Sequence, residues 1–302
     1  MSGFSVIIPF KNEKENLGEL LNSLLSQKTK TPFEIILIDD FSDDGGSEIV
    51  KKYQKVKLFY RKDFPDNPNI SSKQNALDIG VSHAKYEYLV FTDADMIFDE
   101  NWLENAAEPP ADFVFGRTEI YPAKTPFEIL QKIQLDFLFA VSFLFNKLGF
   151  DGSAMGNNLV ISKKLYEKIG GQQGIGFSLV EDKKLLSIAR KNGAKIFCTD
   201  NFSAFAFTKP VSAQKFLMQM LRWVKGGFVE SKTLAASLVI FAISNLLILP
   251  SFLIILFLIP VYLRNKISLK FVFLLPFVFF VETLILLPSL FFVKLKWKER
   301  KI

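Results

Sequence analysis

Several clusters in this chain have residue types and spacings that could do chemistry. Asp93-Ala94-Asp95 sets two carboxylates two residues apart, directly after the apolar run Tyr88 to Phe91. Hard divalent cations such as Mg2+ or Mn2+ are held by one or two carboxylates together with substrate phosphates. An ion bound there could take up the negative charge of a departing diphosphate. Asp39-Asp40 closes a second apolar run, Phe33 to Ile38, and offers acceptors for a ribose hydroxyl or a base N–H. Glu181-Asp182 follows the glycine-rich segment Gly170 to Gly176 and opens an apparent helix, Lys183 to Arg190. Acidic residues at a helix N-terminus are ordinary stabilisers. The functional alternative makes Asp182 a general base, within hydrogen-bond reach of the hydroxyl it deprotonates. Gln219-Met220-Leu221-Arg222-Trp223 joins a cation to an aromatic ring. That pairing is usually a lipid anchor, and alternatively it closes over a diphosphate and an acceptor. Any one Asp pair is also common turn or cap chemistry, so position decides.

Position comes from the elements that carry these residues. Phe4 to Pro9, Phe33 to Ile38, Val56 to Tyr60 and Tyr88 to Phe91 read as short buried strands, the first rich in β-branched residues. Between them, Leu17, Leu20, Leu21, Leu24 and Leu25 recur at helical spacing, and Ser47 to Tyr53 and Lys73 to His83 also read as helices. Alternation of this kind predicts a mostly parallel sheet with helices on both faces. In such sheets ligands bind at the carboxyl ends of strands, the edge where Asp39-Asp40 and Asp93/Asp95 would meet.

The remainder of the chain is different in composition. Mean hydropathy is +0.23, and Thr233 to Leu263 contains no charged residue, while Phe271 to Val293 contains only Glu282. Each run is long enough to cross a hydrocarbon core, so two transmembrane helices are expected, over 233–263 and 269–293. The net charge of +6 is concentrated here: residues 211–302 carry 12 Lys and Arg against 3 Asp and Glu, whereas residues 1–210 carry 25 against 28. A slightly acidic first part argues against a nucleic-acid surface, and the basic residues fit lipid headgroups. The Lys and Arg flanking the spans predict cytoplasmic termini. The lone Cys198 cannot form an internal disulfide and suggests a reducing compartment. The localisation expected is an integral membrane protein, its catalytic domain cytoplasmic, in a bacterial inner membrane. The apolar stripe from Phe127 to Phe150 is either core or an interfacial helix.

In their order along the chain these residues resemble the family 2 inverting glycosyltransferases, nucleotide-sugar enzymes of the GT-A fold. The resemblance runs through Val6-Ile7-Ile8-Pro9 with Asn12-Glu13, Asp39-Asp40 with Ser42 and Asp43, and Lys73, Ala76, Leu77 and Gly80. It continues through Asp93-Ala94-Asp95, Glu181-Asp182, and Gln219 with Arg222-Trp223, covering about residues 4–225. It implies an α/β fold, a GT-A catalytic domain over 1–230 with 125–150 and 212–230 as candidate interfacial helices. The two membrane helices and a basic cytoplasmic tail, 294–302, would follow. It also implies that Asp39 and Asp40 contact the nucleoside and that Lys73 and Asp93 help bind the donor. Asp95 would bind Mg2+ or Mn2+ with Asp93 assisting, and Asp182 would be the base. Gln219, Arg222 and Trp223 would hold the diphosphate and the acceptor-side geometry. Two departures stand out: Lys85-Tyr86 where the family often has glycine, and the polar Gly156-Asn157-Asn158.

The function expected is therefore inverting transfer of a hexose or related sugar from a UDP- or GDP-linked donor to a lipid or lipid-linked acceptor at the cytoplasmic membrane face. The alternatives are a processive polysaccharide synthase, for which two spans give few channel walls, and a non-catalytic nucleotide-binding membrane protein, whose mark would be a lost acidic cluster. Glu282, alone in the second run, would pair with a polar group such as Asn245 or mark contact with a partner.

Overall fold

The computed structural model describes residues 2–106, 111–150, 152–199, 206–230 and 249–264, with residues 269, 276, 280, 283, 296–297 and 300–301 beyond them. The chain divides into two compact units. The first is Met1–Glu119 with Phe145–Phe177 and Glu181–Lys209; the second is Ile120–Leu144 with Ser178–Val180 and Pro210–Ile302.

The first unit is built on a seven-stranded sheet of β1 (Phe4–Phe10), β2 (Phe33–Asp39), β3 (Val56–Tyr60), β4 (Tyr88–Phe91), β6 (Phe113–Phe115), β8 (Leu159–Ser162) and β9 (Ile196–Cys198). Their order is β3-β2-β1-β4-β8-β6-β9. β1 pairs in parallel with β2 and β4, β2 with β3, and β6 with β9, while β8 is antiparallel to both β4 and β6. One reversed strand therefore sits inside an otherwise parallel sheet.

All seven residues of β1 are buried, because helices cover both of its faces. Phe4, Val6, Ile8 and Phe10 belong to one core cluster with Leu17, Leu20, Leu21 and Leu24 of α1 (Lys14–Leu25). Each such leucine contributes about 1.5–3 kcal/mol of burial. Ile7 faces the other way, toward α3 (Ser72–Ser82). Gly80 lets that helix approach: a Cβ there would stand 2.4 Å from Ile7 Cγ2 and 2.8 Å from Ile38 Cδ1. The start of α3 is set by a reciprocal capping box, in which Ser71 Oγ accepts from Gln74 N at 3.2 Å and Gln74 Oε1 accepts from Ser71 N at 3.1 Å.

Shorter elements complete this unit: α2 (Gly46–Val50), α4 (Trp102–Ala106), α6 (Lys163–Lys168), α7 (Gly171–Ile175) and α8 (Glu181–Lys191), with β5 (Met96–Phe98) antiparallel to β10 (Ala206–Thr208). β7 (Thr118–Ile120) is the third strand of that small sheet.

In the second unit, α9 (Ala213–Glu230) lies against the part of α5 (Pro126–Lys147) that precedes Phe145. Gln131 exchanges two hydrogen bonds with the Val211 backbone, at 2.8 and 2.9 Å, and the Phe127 and Phe216 rings meet edge to face at 5.6 Å. Ile133, Phe137, Phe139, Ala140 and Phe143 of α5 are buried.

The expected transmembrane hairpin is corrected by the structure. Among the described residues no helix is long and apolar enough to cross a membrane. Within the first expected span, 233–263, the described helix is α10 (Leu249–Arg264), of 16 residues. Pro250 falls in its first turn and Pro260 within it. Leu258, Val261 and Tyr262 of this helix are buried. Residues 231–248, with Asn245, lie outside the described residues, as does Glu282; of the second expected span, 269–293, residues 269, 276, 280 and 283 are described. An uncharged run signals burial, and hydropathy alone assigned it to lipid. With the spans goes the placement as an integral membrane protein of a bacterial inner membrane with a cytoplasmic catalytic domain, because that placement rested on them. Within 294–302, Lys296–Trp297 (β11) pairs antiparallel with Arg300–Lys301 (β12).

Candidate active site

The acidic clusters of the first unit converge because their strands are neighbours. β2 and β4 both flank β1 in parallel, so Asp39 at the end of β2 and Asp93, two residues beyond β4, emerge at the same sheet edge. The loops there are cross-tied. Asn12, in the left-handed region at φ 56° that asparagine tolerates, donates its N–H to Ser42 Oγ at 3.1 Å and accepts from Asp43 N at 2.9 Å through its Oδ1. Asp44 accepts from the backbone N–H groups of Lys14 at 2.7 Å and Gly46 at 2.8 Å.

Asp39 and Asp40 are both buried, with different duties. Asp39 accepts from Ser42 N at 2.7 Å and from Ser47 Oγ. It lines a cleft of about 470 Å3 together with Phe41, Ser42, Asp43, Lys51, Tyr60 and Lys62, among others. Asp40 accepts from Ser72 Oγ at 2.6 Å and pairs with Arg61 at 3.0 Å. Arg61 also donates to Ser72 Oγ at 2.9 Å and to Asp66.

A second group gathers around Lys73, which the capping box places in the first turn of α3. Its ammonium stands 2.8 Å from Asp93 Oδ1 and 2.8 Å from Glu181 Oε1, so one cation bridges the loop after β4 to the start of α8. Burial opposes that charge, but Asp93 and Glu181 outweigh it and raise the Lys73 pKa. Next to Glu181, Asp182 accepts from Gly156 N at 2.9 Å through Oδ2 and from Lys183 N at 2.8 Å through Oδ1. Burial, then the adjacent charge of Glu181, push the Asp182 carboxyl up to about 6, against smaller opposing effects of those N–H donors and of Lys73. A carboxyl there is mostly ionised at neutral pH yet basic enough to accept a proton. A narrow cleft of about 20 Å3 lies beside it, lined by Lys73, Thr92, Gly156, Glu181 and Asp182 among others.

Asp95 is raised to about 6 by burial and then by the charges of Asp93 and Glu13, while Thr208 Oγ1 donates to it at 3.3 Å. This set fits a divalent cation: a half-buried carboxyl crowded by like charge loses that penalty when a positive ion arrives, and one or two carboxylates suffice when a diphosphate supplies further oxygens. Among the described residues no group of three or more His, Cys, Asp or Glu is disposed to hold a metal ion by itself.

The structure thus brings Lys73, Asp93, Glu181 and Asp182 into one cluster, with Asp95 two residues along the same loop, and sets Asp39 and Asp40 at the same edge. Gln219, Arg222 and Trp223 lie on α9 in the second unit, half-buried. Arg61, Ser72 and Gly156 are not singled out for a role at the site by residue type. Gln74 and Asp78 also escape a reading by residue type, although the Ser71/Gln74 spacing signals a cap. Gln74 Nε2 donates to Gly176 O at 2.9 Å, and Asp78 accepts from Gln172 N at 3.0 Å and Tyr166 Oη at 2.7 Å. These two side chains tie the glycine-rich segment to α3. The polar departure at 156–158 is an internal brace. Asn157 Oδ1 accepts from Thr118 at 2.8 Å, and Asn158 accepts from Trp102 Nε1 at 2.9 Å and donates to Arg117 O at 2.8 Å.

The family model for glycosyl transferase family 2 matches residues 5–170. Two similar proteins of Staphylococcus aureus are poly(ribitol-phosphate) beta-N-acetylglucosaminyltransferases. TarS is 33% identical over 108 residues, 35% of this chain and 18% of TarS; TarP is 34% identical over 125 residues, 39% of this chain and 37% of TarP. The chain therefore aligns to well under half the length of either relative. Among solved structures, the mannosyltransferase PcManGT from Pyrobaculum calidifontis in complex with GDP-Man and Mn2+ superimposes with a TM-score of 0.52 at 16% identity, covering 97% of this chain and 76% of that one, a likeness of fold.

Proposed function

The chain belongs to glycosyl transferase family 2, and from that premise we propose that it transfers a sugar from a nucleoside diphosphate donor to an acceptor hydroxyl with inversion at the anomeric carbon. The observation that carries this reading is the Asp93–Lys73–Glu181 bridge with Asp182 beside it. It sets a carboxylate able to take a proton next to a loop suited to a diphosphate and its cation.

In this reading Asp182 receives the proton of the acceptor hydroxyl as its oxygen attacks the anomeric carbon. The bond from that carbon to the diphosphate breaks, and its electron pair leaves with the nucleoside diphosphate. A single displacement inverts the centre. Asp95, with Asp93, would hold Mg2+ or Mn2+, which when bound offsets charge on the leaving diphosphate. Lys73 orders the two acidic loops and adds a fixed positive charge. Asp39 and the cleft it lines receive the nucleoside.

The names of the two staphylococcal relatives make N-acetylglucosaminyl donors the first to test, beside other UDP- and GDP-sugars. For the acceptor, lipid-linked alcohols and polyol-phosphate polymers are the two hydroxyl classes to compare. The experiment is nucleotide release by the purified chain with Mg2+ or Mn2+, with each acceptor class present and absent, and NMR of the product anomer. Release that rises with an acceptor and yields the inverted anomer is expected. A retained anomer, or no release from any donor by folded protein, contradicts the reading.

A further inference from the structure

Beyond Asp40 the chain enters Phe41, whose φ of 62° lies in the left-handed region. For a bulky side chain this is a genuine outlier, and such strain tends to persist where surrounding structure over-determines it and function uses it. Burial does not account for it, because Phe41 is 53% exposed. What the ring meets is Arg61, whose guanidinium carbon lies 5.0 Å from the ring centroid. Arg61 is in turn fixed by Asp40, Asp66 and Ser72. Asp40 therefore acts through Arg61 to hold an aromatic ring at the rim of the 470 Å3 cleft, beside Asp39, Ser42 and Asp43. That volume is within the range of small-ligand sites.

We propose that Phe41, backed by Arg61, is the surface on which the donor's nucleobase stacks. The proposal rests on the sugar-transfer reading and deepens it. Stacking suits this geometry because every base has a π-face and a ring held on an immobile cation loses little freedom on binding. It also gives the Asp39-Asp40 doublet a division of labour: Asp39 borders the cleft, and Asp40 anchors the arginine behind the platform.

The test is calorimetric binding of UDP, GDP and inorganic pyrophosphate, each with Mg2+, to wild type, Phe41→Leu and Phe41→Tyr. Leucine keeps bulk and strain but has no π-face; tyrosine keeps the face. Phe41→Leu should weaken UDP and GDP at least tenfold, which is about 1.4 kcal/mol. Pyrophosphate affinity should be unchanged, and Phe41→Tyr should bind within a factor of about two of wild type. Unchanged UDP and GDP affinities in Phe41→Leu overturn the platform while leaving the transfer reading intact. An equal loss for pyrophosphate also overturns it, since the substitution would then have disturbed the loop as a whole. A folded wild type that binds neither nucleotide removes the transfer reading and the platform together.

Discussion

Gly156 donates its backbone N–H to Oδ2 of Asp182 at 2.9 Å, and a Cβ at residue 156 would stand 2.9 Å from the Asp182 Cβ. The glycine is thus a seat for the carboxylate, and its lack of a side chain sets where that carboxylate rests. Gly156→Ala must push the half-buried Asp182 by some tenths of an ångström. Displacements of about 1 Å from productive geometry cost on the order of 100-fold in rate. We expect kcat to fall roughly 10- to 100-fold with the donor KM little changed, as read from steady-state kinetics. An unchanged kcat would show that Asp182 has slack.

The pH profile follows from the charges around Asp182. With its carboxyl at about 6, kcat/KM should fall as pH drops through about 6 as the base becomes protonated. Glu181 raises that pKa and Lys73 lowers it. Glu181→Gln should therefore move the acid limb to lower pH, and Lys73→Gln should move it to higher pH. Shifts in the same direction for both variants would contradict the assignment of the limb to Asp182.

The same carboxyl has a stability signature of the opposite sense to a surface aspartate. Folded Asp182 keeps its proton up to about pH 6, whereas an unfolded aspartate loses it near pH 4. Its contribution to stability is fully present below about pH 4 and is lost as pH rises through about 6. Asn at 182 does not titrate, and with one acceptor oxygen it serves only one of the two N–H donors of Gly156 and Lys183. Relative to Asp182→Asn, wild type should therefore lose stability as pH rises from about 4 to 7.5, by at most about 3 kcal/mol, whichever of the two is the more stable at pH 4. Thermal melts across pH decide it, and a stability difference between the two proteins that is the same at pH 4 and pH 7.5 would refute the raised carboxyl.

Gly80 tests the fold independently of the site. A methyl group there would meet Ile7 Cγ2 at 2.4 Å and Ile38 Cδ1 at 2.8 Å, both buried side chains of the central strands. Overpacking of this kind costs about 1–3 kcal/mol, more than the gain in helix propensity of about 1 kcal/mol from replacing glycine. Gly80→Ala should lower the denaturant midpoint. An unchanged midpoint would mean that α3 can lift off the sheet at no cost.

Much of the first unit is legible from the amino-acid sequence, for local reasons. Apolar runs of strand length ending in Asp39-Asp40 and Asp93-Ala94-Asp95 state their own boundaries, and parallel neighbours then bring their carboxyl ends together. The reversed strand β8 is not legible, since its direction is set by pairing with β4 and β6, which are far away in sequence. Arg61 looks like one more cation in the run Arg61-Lys62-Asp63, and only tertiary contact with Asp40 and Phe41 singles it out. The expected membrane spans fail for a related reason. Hydropathy reports that Leu249 to Leu263 avoids water, but not whether lipid or protein covers it, and α10 buries Leu258, Val261 and Tyr262.

The most direct test of Asp182 as the base separates chemistry from binding. Wild type and Asp182→Asn would be compared for sugar transfer and, by calorimetry, for nucleoside diphosphate binding with Mg2+. Loss of a positioned base removes roughly 10^2- to 10^4-fold in rate, so transfer should fall by that factor while nucleotide affinity stays within about twofold. Transfer at the wild-type rate in a folded Asp182→Asn variant would contradict the account.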